Sequence, residues 1–210
     1  MQLKDLQETI GARLGARDDL DDAVRVEFRL VQRTVLEGAE FKPWFLLSEA
    51  STAPTSPGEA RVPLPHDFLR EYDEGGLYLE MSEATKELLK RDVSELKRAY
   101  KGASDGEPSH YAVTGDYIRL FPTPAKSWRL RMMYYRRQPV CNEGEDTNDW
   151  LRHAFDVALV ETALRLASYN VDYDKLQEFQ NERSGAWHRL MVEHEAREHS
   201  GRGYQMGRYS

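Results

Sequence analysis

The sequence predicts an α+β fold, a helical bundle from N- and C-terminal helices with an inserted small antiparallel β-region. Three observations predict it. Residues recur at helical spacing at both ends, as Leu3, Leu6, Ile10 and Leu14 and as Leu151, Phe155, Leu159, Thr162 and Leu166. Between them, residues 109–139 alternate with period two and are broken by Gly and Pro. The connection Tyr169–Asp172 is short, so the last two helices should run antiparallel. The expected division is 1–44 and 141–200 for the bundle, 45–140 for a β-rich insert with a short helix, and 201–210 for a C-terminal tail.

The elements follow in order. Gly15 ends the first helix, and Asp18, Asp19, Asp21 and Asp22 suit the start of the second, where acids meet the positive end of the helix dipole. These acids do not follow the spacing of a calcium loop. The second helix packs Val24, Phe28, Val31 and Val35 and exposes Arg25, Arg29 and Arg33, with Gly38 and Pro43 closing it. WFLLSEAS reads as a strand, TAPTSPGEA as an exposed loop, and Val62 with Leu64 as a short edge strand between prolines. The stretch from Pro65 is expected to form a short helical turn, with His66 at its start, then a Gly75-Gly76 turn and a strand over Leu77–Glu80. SEATKELLKRDVSELKRAY reads as a helix starting at Ser82, on the spacing of Leu88, Leu89, Val93 and Leu96.

Tyr111–Val113 and Tyr117–Phe121 flank Thr114-Gly115-Asp116, a tight hairpin turn, and Pro122 and Pro124 stop the second strand. Trp128, Leu130, Met132 and Tyr134 then alternate with Arg129, Arg131, Met133 and Tyr135 in a half-buried strand. The helical pattern resumes at Thr147. Ala154, Ala158, Ala163 and Ala167 allow close helix approach, and the last helix carries Leu176, Phe179, Trp187, Leu190 and Met191.

Composition bounds the function. With 40% hydrophobic and 31% charged residues in 210, the chain can bury a core. A net charge of −7 disfavours general nucleic-acid binding. The single cysteine, Cys141, can form no internal disulfide and no cysteine-based zinc site. Asp5 and Glu8 interrupt any apolar leader, and Trp44–Leu47 is the longest purely apolar stretch, so neither a signal peptide nor a membrane span is expected. A soluble protein made in a host cytoplasm is the expectation.

The sequence carries no active-site pattern, and no enzyme activity or cofactor is expected. His194 and His199 are five residues apart, roughly 140° around a helix, whereas a helical zinc pair needs a spacing of four. His188 suits packing or hydrogen bonding, and His153 suits surface pairs with Asp149 and Asp156. Glu143, Glu145 and Asp146 would disfavour a thiolate at Cys141. Arg129, Arg131, Arg136 and Arg137, with Tyr134 and Tyr135, form one basic–aromatic patch. It is open to nucleic-acid stacking, to a protein interface, or to a plain solvated strand face. The tail Gly201–Ser210 places Arg202, Tyr204, Met206, Arg208 and Tyr209 among glycines, which suits a segment that orders on docking.

Three stretches resemble the head-to-tail adaptor proteins of tailed bacteriophages, the family that includes tail tubular protein A and related connectors. They are Val62–Phe68, the meander Gly115–Pro124 continued by Leu130–Pro139, and Asn148–Leu151 with the Ala/Leu-rich helix after it. The resemblance runs from about residue 60 to 195; the first 60 residues match only as two helices. It implies a virion protein at the neck, forming a homo-oligomeric ring, commonly of twelve copies, between the portal protein and a tail nozzle or tail tube protein. Double-stranded DNA would pass through the channel without specific binding. It also implies a portal-docking tail (Gly201, Arg202, Tyr204, Met206, Arg208, Tyr209). A tail-side or intersubunit surface would carry Arg129, Arg131, Tyr135, Arg136 and Arg137. A small nucleic-acid-binding or regulatory protein using the Arg/Tyr strand is the alternative, and a carboxylate hydrolase is a third reading.

Overall fold

A computed structural model describes residues 1–15, 18–72, 75–81, 84–170 and 173–202. The fold is α+β. The chain divides into a helical unit, Met1–Leu46 with Gln138–Ser210, and a β unit, Leu47–Arg137.

The helical unit begins with α1 (Leu3–Arg13), whose Leu3, Leu6 and Ile10 are buried. The start of α1 is held by the acidic loop Asn142–Asp149. Leu3 N–H donates to Asp146 O at 2.8 Å and Lys4 N–H to Gly144 O at 2.9 Å, so loop carbonyls satisfy donors that a first helical turn leaves open. A 3₁₀ turn (Asp18–Leu20) leads into α2 (Asp21–Val31), with Asp21 and Asp22 in its first turn. The helix then widens into a π-turn, Gln32–Leu36. The extra residue rotates the apolar face, so Leu36 rather than the expected Val35 is buried.

After the β unit the chain forms α4 (Asp149–His153), α5 (Phe155–Asn170) and α6 (Tyr173–Arg202). The expected single helix is broken at Ala154, which takes a non-helical conformation. The break lets Trp150 and Leu151 both enter the core, while His153 stacks on Phe45 and meets the edge of Trp44. His153 therefore belongs to an aromatic cluster rather than to surface ion pairs. All four alanines, Ala154, Ala158, Ala163 and Ala167, are buried, and α5 packs against α1, α2 and α6. Of the expected α6 core, Phe179 and Leu190 are buried, whereas Met191 is exposed.

Two sheets make the β unit. One runs β1 (Leu47–Ser51), β9 (Arg129–Arg136), β4 (Leu77–Glu80) and β5 (Thr85–Glu87), with β3 (Phe68–Glu71) also on β9. The other runs β2 (Arg61–Pro63), β8 (Tyr117–Phe121), β7 (His110–Thr114) and β6 (Leu89–Lys90). Leu77, Leu79, Leu130, Met132 and Tyr134 from the first sheet share one core with Val62, Tyr111, Ile118 and Leu120 from the second. The β7–β8 hairpin turns at Gly115-Asp116, where Gly115 takes φ 60°.

Two sequence expectations fail here, each because pairing overrides local pattern. β9 is eight residues long and β4 covers only Arg129 to Met132, so the freed edge at Tyr134–Arg136 draws Phe68–Glu71 into β3 instead of a helical turn. His66 accordingly lies in a turn before a strand. Between β4 and β3, Met133 N–H donates to Gly76 O at 2.7 Å; a Cβ on Gly76 would sit 3.1 Å from Met133 Cβ. The long helix expected from Ser82 is β5, β6 and a short α3 (Val93–Ala99), with Ser82 itself outside the described residues. Leu88 enters the sheet core, Leu89 is 54% exposed, and Asp92 caps α3 by accepting from Ser94 N–H at 2.7 Å. The TAPTSPGEA segment is an exposed loop as expected, anchored at Thr55. Thr55 N–H donates to Trp128 O at 2.9 Å, and Trp128 N–H returns to Thr55 Oγ1 at 2.9 Å, burying Thr55.

Candidate docking surfaces

Strand alternation sends Arg129, Arg131, Met133 and Tyr135 to one face of β9 and Arg136 to the other. On the first face Arg131 lies between acids of both neighbouring strands, 2.9 Å from Glu49 and 3.8 Å from Glu80, and over the Tyr78 ring. Its charge is compensated in place. Tyr135 is buried and packs against Tyr72. Arg137 lies past the strand end, where its N–H donates to Asp67 O at 2.6 Å. The five residues expected as one surface are therefore spread over two faces and a strand end.

The segment Val62–Phe68 is built around Asp67. Tyr134 Oη donates to Asp67 Oδ1 at 2.7 Å, and burial together with that carboxylate pushes the phenol up to about 12. Leu64 N–H donates to Asp116 O at 3.0 Å, tying the segment to the β7–β8 turn. A shallow groove lies on each side. One is lined by Ala50, Thr52, Pro63 and Tyr134, the other by Phe68, Asp116 and Arg137. Both are open surface features of the β unit.

In the helical unit, a buried polar network forms where the chain returns from the insert. Gln32 Nε2 donates to Glu37 Oε1 at 3.1 Å and to Gln138 O at 3.0 Å. Asn148 Nδ2 donates to Gln32 Oε1 at 2.9 Å while Asn148 Oδ1 accepts from Leu151 N–H, capping α4. Asp149 N–H donates to Gln138 Oε1 at 3.1 Å, and Arg33 meets Glu37 at 2.8 Å. Sequence reading missed this set, since amides at 32, 138 and 148 show no spacing that links them. Glu161, 4% exposed, accepts from Arg183 Nε and from Trp187 Nε1, each at 2.7 Å, locking α6 to α5.

Chemistry is sparse. Burial, with Asp146 nearby, raises the Cys141 thiol to about 11, the opposite of nucleophile activation. Tyr100, Ser109 and His110 share hydrogen bonds of 2.9–3.0 Å. Among the described residues no group of His, Cys, Asp and Glu could hold a metal ion. Nor is any helix among them long and apolar enough to cross a membrane. His188 is exposed, and His194 meets the edge of Phe41. The backbone of α6 runs through Gly201 to Arg202; Tyr204, Met206, Arg208 and Tyr209 of the expected docking tail lie outside the described residues, as does the side chain of Arg202.

Charge is unevenly divided. The β unit holds 14 Lys/Arg and 14 Asp/Glu, a net of 0, and the helical unit 15 and 22, a net of −7. The family model described as SU10 adaptor protein matches residues 1–206. The chain belongs to this family of phage adaptor proteins. The match takes in the first 60 residues, where the sequence motifs gave only two helices. A search of curated proteins found no match. As a phage adaptor the chain interacts with other phage structural proteins and is a structural component of the virion.

Proposed function

We propose that this adaptor is a head-to-tail connector. Copies form a ring between the portal and the tail, and the ring extends the DNA channel. Its role is mechanical, without a catalytic step or a cofactor. The observation that carries the reading is the family match over residues 1–206. The charge division supports it: a wall with a net of −7 per helical unit would let DNA slide rather than bind, since phosphate contacts by Lys and Arg hold a strand in place. The alternative, nucleic-acid binding by the Arg/Tyr strand, is weakened by the acids around Arg131 and by the burial of Tyr134 and Tyr135.

Light scattering of the protein alone and mixed with the portal of the same virus tests the reading. A discrete ring, or a portal complex lost on deleting Gly201–Ser210, is the expected result. A monomer that ignores the portal with and without those residues refutes it, and salt-sensitive DNA affinity lost on Arg129→Ala plus Arg131→Ala would then favour the alternative.

A further inference from the structure

The helical unit exposes two aliphatic pairs on different helices. On α2, with Val24, Phe28 and Val31 buried, the opposite side presents Asp22, Val26, Arg29 and Leu30, with Arg33 following in the π-turn. Val26 is 48% and Leu30 43% exposed. On α6, with Phe179, Ala186 and Leu190 buried, the opposite side presents Ser184, His188, Met191, Val192 and Glu195. Met191 is 43% and Val192 50% exposed. An outward helix face is ordinarily polar and charged, so an aliphatic pair centred on each marks a covered surface.

The charges on the two faces are opposite. Asp22 is matched by Arg25 at 2.7 Å and Arg33 by Glu37 at 2.8 Å, whereas Arg29 donates to the uncharged amide oxygen of Asn142. The α2 face thus keeps the positive charge of Arg29. Beside the α6 face Arg189 is matched by Asp156 and Glu193 by Arg197, each at 2.9 Å, which leaves Glu195 as its formal charge. Two copies of a unit with 15 basic and 22 acidic residues repel each other overall, so contact needs faces where this repulsion is locally reversed. Setting α2 against α2 brings Arg29 to its own kind, and α6 against α6 does the same with Glu195. Only α2 against α6 joins aliphatic to aliphatic and positive to negative.

We propose that the outward face of α2 in one copy docks on the outward face of α6, around Met191 and Val192, in the next copy. The contact is head to tail, so each copy offers one face and receives on the other, and such contacts propagate until a ring closes. This inference rests on the ring reading above and names the surfaces that make it.

The test is a pair of variants, Leu30→Glu and Met191→Lys, measured by light scattering in the setting where the wild type assembles, alone or on the portal. Both positions are exposed, and unchanged circular dichroism and thermal melting verify folding. Each variant alone should lose assembly, with affinity down at least about tenfold, because each buries a charge against an apolar partner and sets it against a like charge, Glu195 or Arg29. Mixed in equal amounts they should form one-to-one complexes, because Leu30→Glu keeps its α6 face and Met191→Lys its α2 face. Variants that still assemble, loss with only one of the two, or a mixture that stays monomeric would each overturn the pairing. A wild type that assembles in neither setting would instead bring down the ring reading itself.

Discussion

Replacing Asn148 by Ala removes three hydrogen bonds, two of them buried, from the point where the chain returns to the bundle. Asn148 Oδ1 accepts from Leu151 N–H at 3.1 Å, and Nδ2 donates to Gln32 Oε1 at 2.9 Å and to Pro139 O at 3.2 Å. Loss of the helix cap costs about 1 kcal/mol. Stranding the buried Gln32 Oε1 costs roughly another 1–3 kcal/mol. Pro139 O still receives Gln32 Nε2 at 3.3 Å, so its loss adds little. The expected total is about 2–4 kcal/mol, confined to the helical unit. Urea unfolding followed by far-ultraviolet circular dichroism reads it as a midpoint lowered by about 1–2 M, for a slope of about 2 kcal/mol per M. A shift below about 0.3 M for Asn148→Ala would refute the network as a stabilising element, since that corresponds to less than about 1 kcal/mol.

Three further outcomes are expected. Glu161→Gln weakens the clamp on α6, lowering stability by about 1–3 kcal/mol and changing Trp187 fluorescence, because the acceptor shared by Arg183 and Trp187 loses its charge; an unchanged melt and spectrum would refute the clamp. The Tyr134 phenol is raised from 10.0 to about 12 in the fold, so its contribution is complete below pH 10 and is lost as pH rises through 12. Tyr134→Phe should make that alkaline decline shallower in a pH series of melts, and an equally steep decline would count against the shift. Cys141, raised from 9.0 to about 11, should react with a thiol reagent at pH 8 about a hundredfold more slowly in native protein than in urea; equal rates would show that the thiol is not buried.

The helical ends were legible because each carries its own apolar stripe, as in Leu3, Leu6 and Ile10 or Leu151, Leu159 and Leu166. The β7–β8 hairpin was legible because Gly115 marks a two-residue turn between alternating strands. What local pattern could not reveal is set by distant partners. Phe68–Glu71 is a strand only because β4 leaves half of β9 uncovered, and Leu88 and Leu89 mimic a helix face while lying on a sheet. The candidate surface suffered the same way. The arginines around β9 are adjacent in sequence, yet strand alternation separates them and Glu49, 82 positions before Arg131, neutralises the central one. The Gln32–Asn148 network was invisible because it joins residues 116 positions apart.

The division of charge constrains how any assembly of this adaptor can form. The β unit is neutral overall, so it adds no net repulsion between copies, while every helical unit adds −7. On the ring reading, bringing many such units side by side accumulates like charge at separations comparable to the Debye length, about 8–10 Å at ordinary salt. Screening then favours the ring, whereas a DNA complex held by phosphate contacts is weakened by the same salt. The two functional readings therefore predict opposite responses to one variable. Raising salt should promote self-assembly until screening also erodes the Arg29–Glu195 attraction between copies. That attraction is a single pair, while the repulsion is summed over whole units, so the promoting effect dominates at moderate salt.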